Sequence, residues 1–266
     1  MSISTYYYKS VDKSDEDDII AEKIRDYIEK VPESGYRPVT DHLNKEMLIN
    51  HKRVNRIMRE KSLLCVKKRR FKPTTTDSMH KLMKYPNLAK DVHADDINQV
   101  IVGDVSAYNI RGKDHYMASL MDRHSRRTIG KAVSDKNNTE LVITALEDAI
   151  RTRGSLEGCI HHTDSDVRYC SEKYIRRLNE YKMVISMCVG NVYENAHAEA
   201  FNSTVKRQEI NISDYDNKNE SAISIFSFID KYNTIRPHSS LGGLSPVEFE
   251  NILAERKMNL EKSLQF

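Results

Sequence analysis

Residues 99–135 contain three consecutive short runs rich in Val, Ile and Tyr, and no other feature constrains the fold as strongly. The runs are QVIVGDVSAYNI, DHYMASLMD and RTIGKAVSD, separated by charged or Gly-containing turns such as Arg111-Gly112-Lys113. Such runs predict three antiparallel strands. The patterns that follow predict a helix over 138–153, a strand over 158–163, a helix over 172–181, a strand over 183–187 and a helix over 194–208. The order βββαβαβα predicts a mixed α/β layered domain.

Length and composition fit a globular chain of one large domain or two modest ones. Of the 266 residues, 30% are charged and 39% hydrophobic, with nine glycines and six prolines, which excludes collagen-like and disordered classes. No apolar run approaches the roughly 18 residues of a membrane span, and no signal-peptide pattern is found at the N-terminus. We therefore expect a cytoplasmic, nucleoid-associated protein without a membrane partner. Four scattered cysteines without a C-x-x-C pair predict reduced, buried thiols.

The N-terminal region predicts three short helices over 15–30, 38–46 and 50–60, with a tight connection between the last two. This pattern resembles a helix-turn-helix unit. Residues 45–72 contain eleven Lys or Arg against two Glu, a balance that favours contact with a polyanion such as DNA. A solvated basic face is the alternative. The predicted DNA-binding residues here are Lys52, Arg53, Arg56, Arg59, Lys67, Lys68, Arg69 and Arg70.

Changes in residue composition and hydrophobic periodicity predict the domain boundaries. The stretch after the basic segment is polar, rich in turn formers and without a sustained period, which is typical of a linker. The sequence predicts a basic, helix-turn-helix-like region over 1–74, a linker over 75–97, a core over 98–212 and a C-terminal helical extension over 213–266.

Three acidic residues lie where their charges need an explanation. Asp104 lies inside an apolar strand, Asp164 ends a strand, and Glu199 follows 35 residues later on a helix. Such acids can converge only if something offsets their repulsion, and Mg²⁺ does so because it prefers carboxylate, water and phosphate oxygens. Two ions about 4 Å apart can hold both the attacking and the leaving oxygen of a phosphoryl displacement. Spacing alone leaves surface or salt-bridged roles open.

The arrangement of these acids resembles the RNase-H-like DDE core shared by retroviral integrases and many bacterial transposases. The local sequence is most similar to the second-frame protein of the transposase family typified by insertion sequence three, nearly end to end. Segments that carry this resemblance are INHKRVNRIMRE, NQVIVGDVSAY, YMASLMDRHSRRTIG, IHHTDSDVRYCS and YENAHAEAFNSTVKRQ. The later segment FIDKYNTIRPHSSLGGLSPVEFE contains a specific family signature around Arg236-Pro237-His238.

The resemblance implies an RNase-H-like mixed sheet flanked by helices and preceded by a small helical domain. It implies that Asp104, Asp164 and Glu199 are the catalytic acids and bind two Mg²⁺ (magnesium) ions, with Mn²⁺ as a substitute. The implied activity is a DNA transposase that cleaves element ends to 3′-hydroxyls and joins them to DNA by transesterification. The implied partners are element-end and target DNA, an upstream-frame protein or frameshift fusion that supplies end recognition and a coiled coil, and further copies in an oligomer on DNA.

The chain departs from the family pattern at several positions. Ile101 stands where a Trp is usual, Glu194 replaces an Asp, and the spacing between the second and third acids is one residue short. After the second acid, Ser165-Asp166-Val167-Arg168 replaces Arg-Gly-Ser-Gln, which removes a glycine and adds a carboxylate beside the site. This loop motivates a second hypothesis: a catalytically decayed or domesticated transposase that only binds DNA.

Other polar residues near these acids have structural and functional interpretations. His161 and His162 precede Asp164 on a strand, so we expect one to face the core and one not; metal ligation is disfavoured because hard cations prefer oxygen. Asp122 is expected to have a hydrogen-bonded structural role. Lys206 and Arg207 are predicted to contact DNA phosphates, with a solvated helix face as the alternative.

Overall fold

The structure is a computed structural model that describes residues 14–32, 34–64, 81–188 and 195–264. The chain divides into two compact units, Met1–Cys65 and Val66–Phe266. Cys159, Cys170 and Cys188 are free and buried, which confirms the prediction of reduced thiols for these three, while Cys65 lies outside the described residues. None of the helices in the described part of the chain combines the length and the apolar character that crossing a membrane requires.

The N-terminal unit contains the three predicted helices, α1 (Ser14–Lys30), α2 (Tyr36–Leu43) and α3 (His51–Glu60). The second begins two residues earlier than expected because Pro38 falls within its first turn, where a helix needs no backbone N–H. The side chain of Asn50 caps α3 by accepting the N–H of Lys52 at 2.8 Å. The three helices bury a core that consists of Ile20, Ile24, Tyr27, Val39, Leu43, Val54, Ile57 and Met58.

The second unit is built on one five-stranded sheet. The first three strands, β1 (Val100–Ile110), β2 (Lys113–Asp122) and β3 (Thr128–Ser134), pair antiparallel, as predicted. β4 (Ile160–Thr163) and β5 (Val184–Met187) run parallel to β1, and the order across the sheet is β3-β2-β1-β4-β5. The predicted order βββαβαβα is confirmed, with helices α4 (Thr139–Arg153), α5 (Glu172–Glu180) and α6 (Ala196–Val205).

Apolar clusters cover both faces of this sheet. Alternate residues of β1 point to opposite sides: Ile101 packs in one cluster with α4 and α5, and Val102 packs in the other with α6 and the helices that follow. His161 and His162 are consequently both buried, each with 1% of its surface exposed. The expectation that only one of them faces the core is wrong, because β4 is an interior strand covered on both faces.

Helical structure continues to the C-terminal end of the described chain. α6 runs into a π-helical turn, Lys206–Ile210, and α7 (Lys218–Thr234), a short 3-10 turn (Ser239–Leu241) and α8 (Pro246–Leu264) follow. The Asn233 amide fastens α7 to the edge strand β3, because it accepts the Thr128 N–H at 2.9 Å and donates to the Thr128 carbonyl at 2.8 Å.

Candidate active site and nucleic-acid interface

Asp104 lies in the central strand β1, and hydrogen bonds fix both of its carboxylate oxygens. Oδ1 accepts the Val105 N–H at 2.8 Å, and Oδ2 accepts the Asn202 side-chain amide at 2.7 Å. Ser119, which is paired with Asp104 on the neighbouring strand β2, donates its hydroxyl hydrogen to Asn202 Oδ1 at 3.1 Å. This chain of hydrogen bonds joins β2, α6 and β1, and it holds the Asp104 carboxylate in one orientation.

Asp164 is the first residue after β4, the strand that pairs parallel with β1. The register pairs Val102 with His162, so Asp104 and Asp164, each two residues further on, lie at the same level. Burial raises the pKa of Asp104 to about 7, and the negative charge of Asp164 adds to this shift, with a smaller contribution from Glu199. The hydrogen bonds from Asn202 and Val105 act in the opposite direction. The carboxylates therefore lie close enough to repel one another.

Helix α6 and the π-helical turn that follows it contribute three polar residues whose charges or hydrogen bonds act on Asp104. Glu199 is exposed, with a pKa raised by partial burial, and its charge acts on Asp104. Asn202 and Lys206 follow three and seven positions later, which is the spacing of one helix face. Burial lowers the pKa of the Lys206 ammonium while the Asp104 charge opposes this shift, so Lys206 lies near the acids. Asn195 anchors the start of the helix by donating to the Gly103 carbonyl at 2.9 Å.

The donor set fits a hard divalent cation. Two carboxylates at one level of a sheet, with a third within electrostatic reach, are oxygen ligands whose repulsion a cation would offset. Among the residues that the structure describes, no three His, Cys, Asp or Glu side chains are grouped closely enough to hold a metal ion. Coordination by all three acids therefore stays a prediction. Glu194 lies outside the described residues.

The unusual loop after Asp164 is stabilised by its own side chains. Asp166 accepts the Arg168 N–H at 3.0 Å and the Arg168 Nε–H at 2.5 Å, and Arg168 also donates to Asn137. Asp166 and Arg168 are 1% and 3% exposed. The additional carboxylate is thus paired with Arg168, so the loop brings no uncompensated negative charge to the site.

His161, His162 and Asp122 have structural partners. The Tyr174 hydroxyl lies 2.8 Å from His161 Nε2, and the Ser186 hydroxyl lies 2.9 Å from His162 Nδ1. Burial, with a further contribution from His162, lowers the pKa of His161 to about 3, so its ring is neutral. Asp122 is fully buried and accepts three backbone N–H groups, from Asn98, His124 and Ser125, which confirms its structural role.

The basic residues of α3 separate into two groups. Arg53 bonds to Asp17 and Glu16 at 2.8 Å each, and Arg56 bonds to Asp17 at 2.6 Å and to Glu60 at 2.9 Å. The acidic start of α1 therefore offsets much of their charge. Lys52 and Arg59 are exposed, and neither forms an ion pair with any described residue. The other predicted DNA-binding residues of the basic segment lie outside the described residues: Lys67, Lys68, Arg69 and Arg70.

Comparisons with known proteins identify both units. An integrase core domain model matches residues 94–190, a second integrase core domain model matches 186–246, and an HTH-like domain model matches 14–71. The transposase for insertion sequence element IS904 of Lactococcus lactis is 31% identical over 240 residues, which cover 88% of this chain and 94% of that protein. Transposase InsF for insertion sequence IS3A of Escherichia coli is 31% identical over 82% of this chain and 76% of that protein. The chain belongs to the family of transposases typified by insertion sequence three.

A further relative and a solved structure are also similar to this chain. The putative transposase InsK for element IS150 of Escherichia coli is 29% identical over 93% of this chain and 89% of that protein. Among solved structures, the HTLV-2 integrase catalytic core domain in complex with magnesium aligns with 57% of this chain and 95% of that chain, at 18% identity and a TM-score of 0.46. The integrase core matches include the positions of Asp104, Asp164 and Glu199, and the mixed sheet is the RNase-H-like fold that the sequence predicted.

Sequence reasoning missed the residues that orient the acids in this transposase. Asn202 and Ser119 are buried, with 3% and 1% of their surfaces exposed. Two features of the sequence could have indicated Asn202. It lies three residues after Glu199, on the same helix face, and its apolar neighbours Phe201 and Val205 predict that it is buried. A buried amide in such a context needs partners, and Asp104 and Ser119 supply them.

Proposed function

We propose that this transposase cleaves DNA at the ends of its element to leave 3′-hydroxyls and joins those hydroxyls to target DNA by metal-dependent transesterification. One observation carries the proposal: Asn202 and Val105 hold the Asp104 carboxylate by hydrogen bonds, at the level of Asp164 on the neighbouring strand. The chain that contains this arrangement belongs to a transposase family. In the first step water attacks the phosphorus and the P–O3′ bond breaks, which leaves the element with a 3′-hydroxyl and the flanking strand with a 5′-phosphate. In the second step that 3′-hydroxyl attacks a phosphorus of the target strand, and the target's own 3′-oxygen leaves as a hydroxyl. No covalent protein–DNA intermediate is needed.

Each residue of the site has a part in this proposal. Asp104, Asp164 and Glu199 would hold Mg²⁺, which supplies charge stabilisation to the phosphoryl group and a more acidic attacking hydroxyl. Asn202 keeps Asp104 in a fixed rotamer. The Asp104 charge favours the protonated form of Lys206. Lys206 is proposed to contact a non-reacting phosphate and so to position the DNA strand. Arg207 is exposed on the next position and is proposed to make a backbone contact.

A strand-transfer assay tests the proposal. Labelled element ends and a target duplex are incubated with the frameshift fusion that contains the chain, in Mg²⁺, in Mn²⁺ and in excess EDTA. We expect joined product with either metal and none with EDTA. Retained DNA binding without product in any metal would favour the binding-only alternative instead. In the loop at 165–168, which motivated that alternative, the added Asp166 carboxylate is paired with Arg168, so its charge alone gives no reason to expect lost activity.

Replacing Asn202 by Ala is expected to reduce the rate of strand transfer about 10- to 100-fold, the usual effect of losing a partner that orients a metal ligand. The variant removes the amide that lowers the pKa of Asp104, so more of that carboxyl is protonated and its cation affinity falls. Ser203→Ala changes the exposed neighbour on the same helix and serves as the matched control. Equal single-turnover rates for the two variants would contradict the positioning role.

We also propose that the basic face of α3 binds the DNA backbone. Replacing Lys52 and Arg59 together by Ala is expected to reduce the slope of log affinity against log salt by about 0.9 for each phosphate that the protein no longer neutralises. These two cations are exposed, whereas Arg53 and Arg56 are paired with acids. Replacing Arg25 and Lys30, both exposed on α1, provides a control with the same change in net charge. The hypothesis fails if both double variants keep the wild-type slope in fluorescence anisotropy titrations.

End recognition and assembly are proposed to need further components. The resemblance places the end-specific helix-turn-helix and a coiled coil in an upstream-frame protein or frameshift fusion, and two ends must be held together for transposition. We therefore expect weak end selectivity and a monomer for residues 1–266, and both selectivity and dimerisation for the fusion. Footprinting of the terminal repeats with each form measures the difference. Equal protection by both would refute this division of roles.

A further inference from the structure

Arg126 is a half-buried cation whose charge the proposed chemistry does not use. It lies in the tight turn between β2 and β3, in the left-handed region at φ 62°. Its Nη1 is buried and has no hydrogen-bond partner, and within the described chain neither Arg126 nor Arg123 forms an ion pair. Burial lowers the pKa of both guanidinium groups, and the charge of Arg123 lowers that of Arg126 further. The turn therefore concentrates positive charge in a poorly solvated place.

The segment after α7 brings more donors to the same place. His238 Nε2 is buried without a hydrogen-bond partner, and its ring packs against Tyr232 at 4.7 Å in a perpendicular arrangement. The Arg236 guanidinium lies over the same Tyr232 ring at 6.0 Å. Burial lowers the pKa of His238 to about 4, and the charges of Arg236 and Arg126 contribute to the shift. The charge of Arg126 acts on His238, so the β2–β3 turn and the segment after α7 lie within electrostatic reach of each other.

The nearest acid does not neutralise this cluster. Asp122 attracts Arg126, but its oxygens already accept three backbone N–H groups, and Arg153 lies 3.6 Å away. Buried cations without a paired charge lower the stability of a fold. A bound anion with several acceptor oxygens would pair with the guanidinium fork and with His238 together.

We propose that Arg126, Arg123 and His238 form a phosphate-binding site that is separate from the carboxylates. The register pairs Asp122 with Ile101 and Ser119 with Asp104, so the turn begins three residues along the sheet from the catalytic acid. This separation is about 10 Å, the rise of about three nucleotides along one DNA strand. We assign the phosphate to the backbone of bound DNA. The assignment to DNA rests on the proposed function, whereas the existence of the phosphate-binding site, as a site for an oxyanion, does not.

Inorganic phosphate tests the site in the full chain without DNA. At constant ionic strength, replacing chloride by phosphate at about four times its dissociation constant is expected to raise the unfolding temperature by about 2–4 °C. The rise should persist in the control Arg151→Gln, an exposed arginine of α4, and disappear in Arg126→Gln. NMR of the folded wild type gives a second reading, because the His238 ring resonances should shift on titration with phosphate. A wild type with neither the temperature rise nor the NMR shift would overturn the site.

Duplex DNA then identifies the source of the phosphate. Arg126→Gln is expected to reduce the salt slope of DNA binding by about 0.9, and Arg151→Gln to leave it unchanged. Phosphate binding with an unchanged slope would overturn the DNA assignment and identify a site for a free anion. Phosphate binding in a wild type that yields no strand-transfer product would refute the proposed function and support the oxyanion site.

Discussion

Replacing Asp104 by Asn is expected to reduce strand cleavage and strand transfer about 1,000-fold or more. A carboxylate that binds a catalytic metal contributes several kcal/mol to transition-state stabilisation, and each factor of ten in rate corresponds to about 1.4 kcal/mol. Asn keeps the size of the side chain and can still accept the Val105 N–H, but it removes the charge that this position would need to bind a cation. Single-turnover assays with labelled element ends measure the loss.

Two controls separate a catalytic defect from a folding or binding defect. Asp114→Asn changes another aspartate of the same sheet, exposed and hydrogen-bonded to Asn109, and should leave the rate unchanged. DNA affinity of Asp104→Asn should be equal to or higher than that of the wild type, because the variant removes a negative charge from the site. A rate within tenfold of the wild type would show that Asp104 is not a catalytic ligand.

The order of strands and helices could be predicted from the sequence because it depends on local residue composition and periodicity. Runs such as QVIVGDVSAYNI specify strands by themselves, and the turn at Arg111-Gly112 fixes the hairpin that follows. The neighbours of β4 were not predictable in this way. Its side chains alternate normally, but burial of both His161 and His162 depends on helices packed on both faces of the sheet, which is a tertiary property.

The charged residues show the same limit more clearly. Counting basic residues in 45–72 predicted a polyanion-binding surface, but a count cannot identify which cations are already paired. Arg53 and Arg56 both reach Asp17, which is 36 or more residues earlier in the chain. The acidic start of α1 was visible only as a favourable helix N-terminus. Its second role, as a partner for α3, depends on how the three helices pack.

The loop at 165–168 illustrates a compensated substitution. Considered singly, the loss of a glycine and the gain of Asp166 suggested a damaged site. The structure pairs Asp166 with Arg168 two residues away, and the Tyr169 and Cys170 N–H groups bond to the Asp166 carbonyl at 3.0 and 3.1 Å. The loop therefore forms a compact turn of its own. Its effect depends on the pair and cannot be judged from either residue alone.

Glu250 joins the C-terminal helix α8 to the core. Its buried carboxylate accepts hydrogen bonds from the Ser125 hydroxyl at 2.6 Å, from Arg127 at 2.6 Å and from Arg153. Arg153 and Glu250 each have 7% of their side-chain surface exposed. The pair is therefore removed from water, and Arg153 depends on Glu250 for most of its compensation because Asp122 is 3.6 Å away.

Replacing Glu250 by Gln is expected to lower the free energy of unfolding by about 3 kcal/mol, because the variant leaves a buried guanidinium with only Asp122, 3.6 Å away, as a charge partner. Asp230→Asn is the matched control. It removes one charge from an ion pair with Lys131 in which the Asp230 side chain is 64% exposed, so its expected cost is below about 1 kcal/mol. Urea unfolding at neutral pH measures both values. A cost for Glu250→Gln as small as that of Asp230→Asn would show that α8 is held by apolar contacts alone.

The pH dependence of the same variant identifies the charge as the cause. Burial acts to raise the pKa of Glu250, but hydrogen bonds from Arg153 and Ser125 and the Arg153 charge outweigh it and hold the pKa below the ordinary value of 4.5. A lowered pKa in the folded state means that the unfolded chain binds its proton first as the pH falls. The stabilisation is therefore complete above pH 4.5 and is lost as the pH falls from there through the folded-state pKa. The difference between wild type and Glu250→Gln should shrink over that interval, and a difference that stays constant down to about pH 3 would assign the loss to packing instead of charge.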